Sequence, residues 1–118
     1  MSHSSDLLKE TGVIAAGLYS RKYLVRELEG PFSSDQGARM ATFCAAVTQI
    51  MEMQGLLLNR ISGKPGWDNS MGWIMWGAEA SVITIGESMS IVKTHGTSFN
   101  KLVSIMKNSL DSIEVRPR

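Results

Sequence analysis

The residues that could do chemistry are few: Cys44, His95 and His3. Cys44 would be a nucleophile only as an accessible, low-pKa thiolate. It lies between Phe43 and Ala45 in an apolar stretch and reads as core. His95 could serve as a base, but no serine–carboxylate pair or second histidine stands at a supporting spacing. Beside Gly96, it reads as a surface or capping residue. His3 falls in a segment expected to be loose. No His, Cys, Asp or Glu groups show metal-ligand spacing, so no metal or other cofactor is expected. "SGKPGWD" (Ser62 to Asp68) contains Gly-Lys without the G-x-x-x-x-G-K-[ST] order that cradles phosphate, and it reads as a turn. An enzyme using Cys44 or His95 is therefore the least supported reading.

Recognition is the stronger signal. Trp67, Trp73 and Trp76 fall within ten residues. In a strand, Trp73 and Trp76 point to opposite faces. Each could be core or interface, since Trp serves in both. Trp67 and Asp68, in a loop, are expected to contact a partner. Eight methionines are many for this length, and Met40, Met51 and Met53 could give an adaptable contact surface or fill core gaps.

The elements that must hold these residues follow from patterning. Ser4 or Ser5 can cap a short helix through "DLLKE" that Gly12 stops. "GVIAAGLYS" (Gly12 to Ser20) and "YLVRELE" (Tyr23 to Glu29) read as a β-hairpin around the turn "SRK". Ser33 and Gln36 have capping-box spacing and open a long helix to about Leu58, roughly 37 Å long. Gly37 and Gly55 weaken it slightly. After the break "SGKPG", the runs "MGWIMWG", "SVITIG" and "SMSIVKTH" form a meander with turns at "AEA" and "ES". Thr97 or Ser98 caps a closing helix with Phe99, Leu102, Val103 and Met106 on one stripe. "EVRPR" reads as a mobile polar tail. The order is α-β-β-α-β-β-β-α.

Several strands are apolar on both faces and need cover on both sides. The expected fold is therefore α+β: a three-layer α/β/α sandwich on a five-stranded antiparallel sheet, in one domain spanning 1–118 with its core at about 6–110. The long helix covers one face and the two short helices the other. The long helix then has too much apolar surface. Met40, Cys44, Val47, Met51 and Leu58 make one stripe, and Phe43, Ile50, Met53 and Leu57 a second. One face has a home inside the domain. The other is expected against a second copy on a two-fold axis, each buried large side chain contributing about 1.5–3 kcal/mol before association costs.

Net charge is +1, with 43% hydrophobic and 19% charged residues. That gives no electrostatic demand for nucleic acid. A lone cysteine fits a reducing compartment. No signal peptide is seen, and no run is apolar without interruption for the 18 or more residues of a membrane span. A cytoplasmic location is expected.

This element order resembles the roadblock/LC7 family, and in particular its small stand-alone microbial members. The residues that carry the resemblance are "LLKETGVIAAGLYS", "YLVRELEG", the long Ala/Met-rich helix, "GWIMWGAEASVITIGES" and "SFNKLVSIMKN", together about Asp6 to Leu110. The resemblance implies a homodimer that pairs the middle strand and the long helix with the partner's equivalents. It also implies a non-catalytic platform, with a small Ras-like GTPase or a multiprotein complex as partner. Carried onto this chain, the dimer surface comprises Met40, Phe43, Val47, Ile50, Met51, Trp73 and Met75. The segment "RISGKPGWDNSMG" is long and Gly-rich, and could cover that strand edge. The alternative function is a small-molecule-binding sensor of profilin-like or PAS-like architecture, with a pocket in the Met/Trp-rich interior.

Overall fold

In the computed structural model, which describes residues 2–20 and 22–114, the elements run α1 (His3–Leu8), β1 (Val13–Tyr19), β2 (Val25–Glu29), α2 (Ser34–Ser62), β3 (Gly72–Trp76), β4 (Ala80–Ile85), β5 (Ser88–Lys93) and α3 (Phe99–Glu114). The strands form one antiparallel sheet in the order β2-β1-β5-β4-β3. The expected α+β sandwich and its α-β-β-α-β-β-β-α order are what the chain adopts. Apart from Glu114, the tail "EVRPR" lies outside the described residues.

Local chemistry sets the boundaries. α1 begins earlier than expected because Ser2, not Ser4 or Ser5, is its cap, in a capping box with Ser5. The Ser33–Gln36 box opens α2 as expected. α2 then runs past Leu58 to Ser62, where Gly63 takes the left-handed conformation at φ 70° and ends it. β2 starts at Val25 rather than Tyr23, since Tyr23 sits in the turn at φ 69°. At the other end of the chain, the Ser98 hydroxyl accepts the Lys101 N–H and caps α3.

The sheet has a separate core on each face. On one, Leu7 of α1 and Leu102 and Met106 of α3 pack over Ala16, Ile83 and Val92. On the other, Ala41, Cys44 and Ala45 of α2 pack over Tyr19, Trp73 and Met89. The residues that α2 turns inward are small: Gly37, Ala41, Cys44, Ala45, Thr48 and Gly55. Small side chains let the helix lie close to what it covers. A Cβ on Gly37 would come within 2.5 Å of a Leu28 methyl, and one on Gly55 would collide with the Trp67 carbonyl.

Candidate interaction surface

The surface begins with what α2 leaves outside. Met40, Phe43 and Val47 are half-buried beside the core. Ile50, Met51, Met53, Leu56, Leu57, Leu58 and Ile61 are exposed. A half-exposed large side chain leaves roughly 75–125 Å² uncovered, taking the 150–250 Å² of an aromatic ring as its scale. These side chains spread over the outer circumference of the helix, with Gln54 and Arg60 among them. By length and composition α2 could cross a membrane. Here one side of it packs on the sheet of its own chain.

β3 adds a second exposed apolar feature, with Met75 on the α2 side of the sheet and Ile74 and Trp76 on the α3 side. It is an edge strand, and its five residues, Gly-Trp-Ile-Met-Trp, carry no charge. Ile74 is 45%, Met75 46% and Trp76 79% exposed. The opposite edge, β2, is protected by Arg26, Glu27 and Glu29, and its pairing with β1 has a bulge at Leu18/Tyr19. The glycine-rich loop before β3 is held against α2, where the Asn59 side chain donates to the Asp68 carboxylate (2.8 Å) and accepts the Trp67 N–H (2.9 Å), and at its end the Ser70 hydroxyl donates to the Gly72 carbonyl (3.3 Å), while Ile74, Met75 and Trp76 stay exposed.

Two expected contact residues are less exposed than Ile50, Met51, Met75 and Trp67. Trp73, placed on the dimer surface by the family resemblance, is only 7% exposed. Its ring meets Phe43 edge-on at 5.9 Å, and its Nε1–H donates to the Thr48 hydroxyl at 2.9 Å. It therefore backs the surface rather than lining it. Asp68, expected as a partner contact beside Trp67, is half-buried and tied to Asn59, whereas Trp67 is exposed. Met40, Phe43, Val47, Ile50, Met51 and Met75 all lie at or beside the exposed row.

Sequence reasoning missed the polar ties behind this surface. The Tyr19 hydroxyl donates to the Gly86 carbonyl (3.1 Å) and lies 3.2 Å from the Thr48 hydroxyl. Thr48 thus accepts from Trp73 and donates to Tyr19, joining α2 to β1 and β3. A threonine four residues after Cys44, on the same face as Ala41 and Cys44, was the available signal.

His3 also departs from expectation. It is 5% exposed, not loose. Its ring bridges Ser88 and Ser109 with both nitrogens at 2.6 Å, clasping α1 to β5 and α3. Burial lowers its pKa from 6.5, against the opposing pull of Glu27 and Asp6. Burial pushes Glu27 upward, but the Ser4 N–H donated to it at 2.9 Å, together with His3 and Ser2 nearby, leaves that carboxyl below its ordinary 4.5. The Cys44 thiol is fully buried and pushed up to about 12 by that burial, so it has no thiolate to offer at neutral pH. His95 is exposed. Among the described residues no three His, Cys, Asp or Glu side chains gather as a metal site would require.

A scan of family descriptions matches residues 4–108 to a family of uncharacterised conserved proteins, DUF2173. The chain belongs to that family. A search among curated protein sequences finds no match. Solved structures give the fold. A roadblock/LC7 domain from Streptomyces avermitilis superposes with a TM-score of 0.79 at 14% identity, covering 95% of this chain and 92% of that one. Myxococcus xanthus MglB superposes at 0.73 and 15% identity, covering 92% and 85%. The gliding protein MglB from Thermus thermophilus superposes at 0.72 and 17%, covering 94% and 82%. The DUF2173 chain therefore has a roadblock/LC7-like fold.

Proposed function

We propose that this DUF2173 protein is a non-catalytic homodimeric platform that binds another protein, with a small Ras-like GTPase or a multiprotein complex as its partner. One observation carries the reading: α2 leaves large apolar side chains exposed on its outer side, and the sheet edge at β3 is exposed and uncharged as well. A specific interface needs about 800 Å² from each partner. Each of two copies would bury its β3 edge and part of its α2 row against the other. The rest of α2, with Trp67 beside it, would remain for the partner. The GTPase arm rests on the roadblock/LC7 resemblance of the sequence and on the likeness to MglB structures, one of which is described as having a tetrameric arrangement. A fold alone does not assign a function.

Light scattering during size-exclusion chromatography tests the dimer at micromolar concentration. A dimer is expected, and a clean monomer would remove the reading. The partner is tested by binding to Ras-like GTPases of the same organism in the GTP-analogue and GDP states. Leu57→Arg serves as the control that should abolish binding.

The sensor reading finds little support. The crevice between β1, β2 and α2 holds about 10 Å³, roughly one water, and the larger hollows, about 230 Å³ beside Thr11 and Ser98 and about 410 Å³ along Ala38, Arg39, Thr42 and Phe43, lie at the surface rather than in the Met/Trp-rich interior.

A further inference from the structure

The methionines of this fold divide into sealed and open ones. Met89 is 3% and Met106 0% exposed, one in each core. Met53 is 68%, Met71 64%, Met75 46% and Met51 43% exposed. All four open ones lie on the α2 side of the sheet. Met51 and Met53 belong to α2 itself. Met75 shares the face of Trp73 by strand alternation. Met71 stands one residue ahead of β3, two before Trp73, with its carbonyl held by the Gly86 N–H at 2.9 Å. Among the described residues no methionine is exposed on the α1 and α3 side.

A peroxide turns an open methionine from apolar to polar. The thioether sulfur attacks one oxygen of hydrogen peroxide. An S–O bond forms as the O–O bond breaks, the proton on the transferred oxygen passes to the departing hydroxide, and water leaves. Sulfur gives up two electrons and the peroxide takes them. The step needs no base or metal from the protein. The chain's single thiol, Cys44, is fully buried, so the oxidant meets thioethers first.

Resting on the dimer reading above, we propose that association is under oxidative control: a peroxide converts Met51, Met53, Met71 and Met75 of the free subunit to sulfoxides, and the subunit then no longer associates. Each sulfoxide brings a strong acceptor oxygen to a contact whose other members, such as Ile50, Leu57 and Leu58, have no donor to give it. Burying an unpaired polar group is costly, so the contact is lost. The fold is spared. Met89 and Met106 are sealed in the cores, and α2 is seated by Gly37, Ala41, Cys44, Ala45 and Thr48, none of them a thioether. Surface and core therefore respond separately to one reagent. The change is reversible, because a sulfoxide reductase returns the thioether while a dithiol closes to a disulfide and the oxygen leaves as water.

Light scattering during size-exclusion chromatography, before and after hydrogen peroxide, reads the proposal on the whole chain. Peptide mass mapping is expected to find one added oxygen at positions 51, 53, 71 and 75 and none at 89 or 106. The treated dimer is expected to weaken by about tenfold or more, with its urea midpoint, measured at one protein concentration below the dissociation constant, unchanged. Methionine sulfoxide reductase with a dithiol should restore it. The combined variant Met51→Leu, Met53→Leu, Met71→Leu and Met75→Leu conserves volume. It should associate like the wild type and keep its dimer through the same treatment. A chain oxidised at all four positions that still dimerises like the untreated one would overturn the switch and leave the dimer standing, and so would a leucine variant that dissociates in peroxide. Oxygen found at 89 or 106, with a fallen urea midpoint, would overturn it too, by showing that the core is the target. A monomeric untreated chain would remove the dimer reading and the switch together.

Discussion

At the scale of single residues, buried polar groups decide how the chain answers to pH and to substitution. His3 has its pKa lowered from 6.5 in the folded chain. Between that lowered value and 6.5 the unfolded chain binds more protons than the folded one, so stability is full above about pH 6.5 and falls as pH drops through this window. Glu27, lowered from 4.5, adds a loss of the same sign, but only at lower pH. Urea midpoints measured from pH 7.5 down to 5 should decline for the wild type and flatten in His3→Gln. Thr48→Val should cost about 1–3 kcal/mol in urea unfolding, because it strands the buried Trp73 N–H, and Thr48→Ser should restore most of it. Cys44 should react with a thiol reagent only as fast as the chain unfolds, so slow labelling in buffer and immediate labelling in denaturant are expected. The clasp at His3 was not legible because its partners, Ser88 and Ser109, are remote in sequence and serines are uninformative by type. Cys44 was legible, since its apolar neighbours already implied its burial.

At the scale of elements, the order and pairing of helices and strands could be read from capping residues and apolar runs. The facing of α2 could not be read the same way. Large apolar side chains are the usual marker of an inward face. Here Ala41, Ala45, Gly37 and Gly55 look inward, and Ile50, Met53 and Leu57 look out. By propensity, the two glycines are weak points of the helix. In the fold they are the places where it comes closest to Leu28 and Trp67. Gly55→Ala therefore tests the reversal. Helix propensity alone favours the alanine by about 1 kcal/mol, yet the new Cβ meets the Trp67 carbonyl. We expect a net loss of about 1–3 kcal/mol in urea unfolding, the usual cost of overpacking. Trp73 follows the same logic. Its type and position suited an interface as well as a core, and only the placement of Thr48 and Phe43 around it decides for the core.

At the scale of the whole molecule, the sheet has one face closed by α1 and α3 and the other under a helix whose outer side stays open. If that outer side holds a second copy, thermal stability should depend on protein concentration, because mass action favours the associated state. Melting curves over a hundredfold dilution should shift downward, and in Ile50→Arg they should not shift with dilution at all. The helix divides its work between different residues: one row seats it on its own sheet, and another row meets the outside. Mutations on the outer row can then accumulate without loosening the seat. A lineage carrying this chain could exchange one companion for another while each subunit went on folding as before.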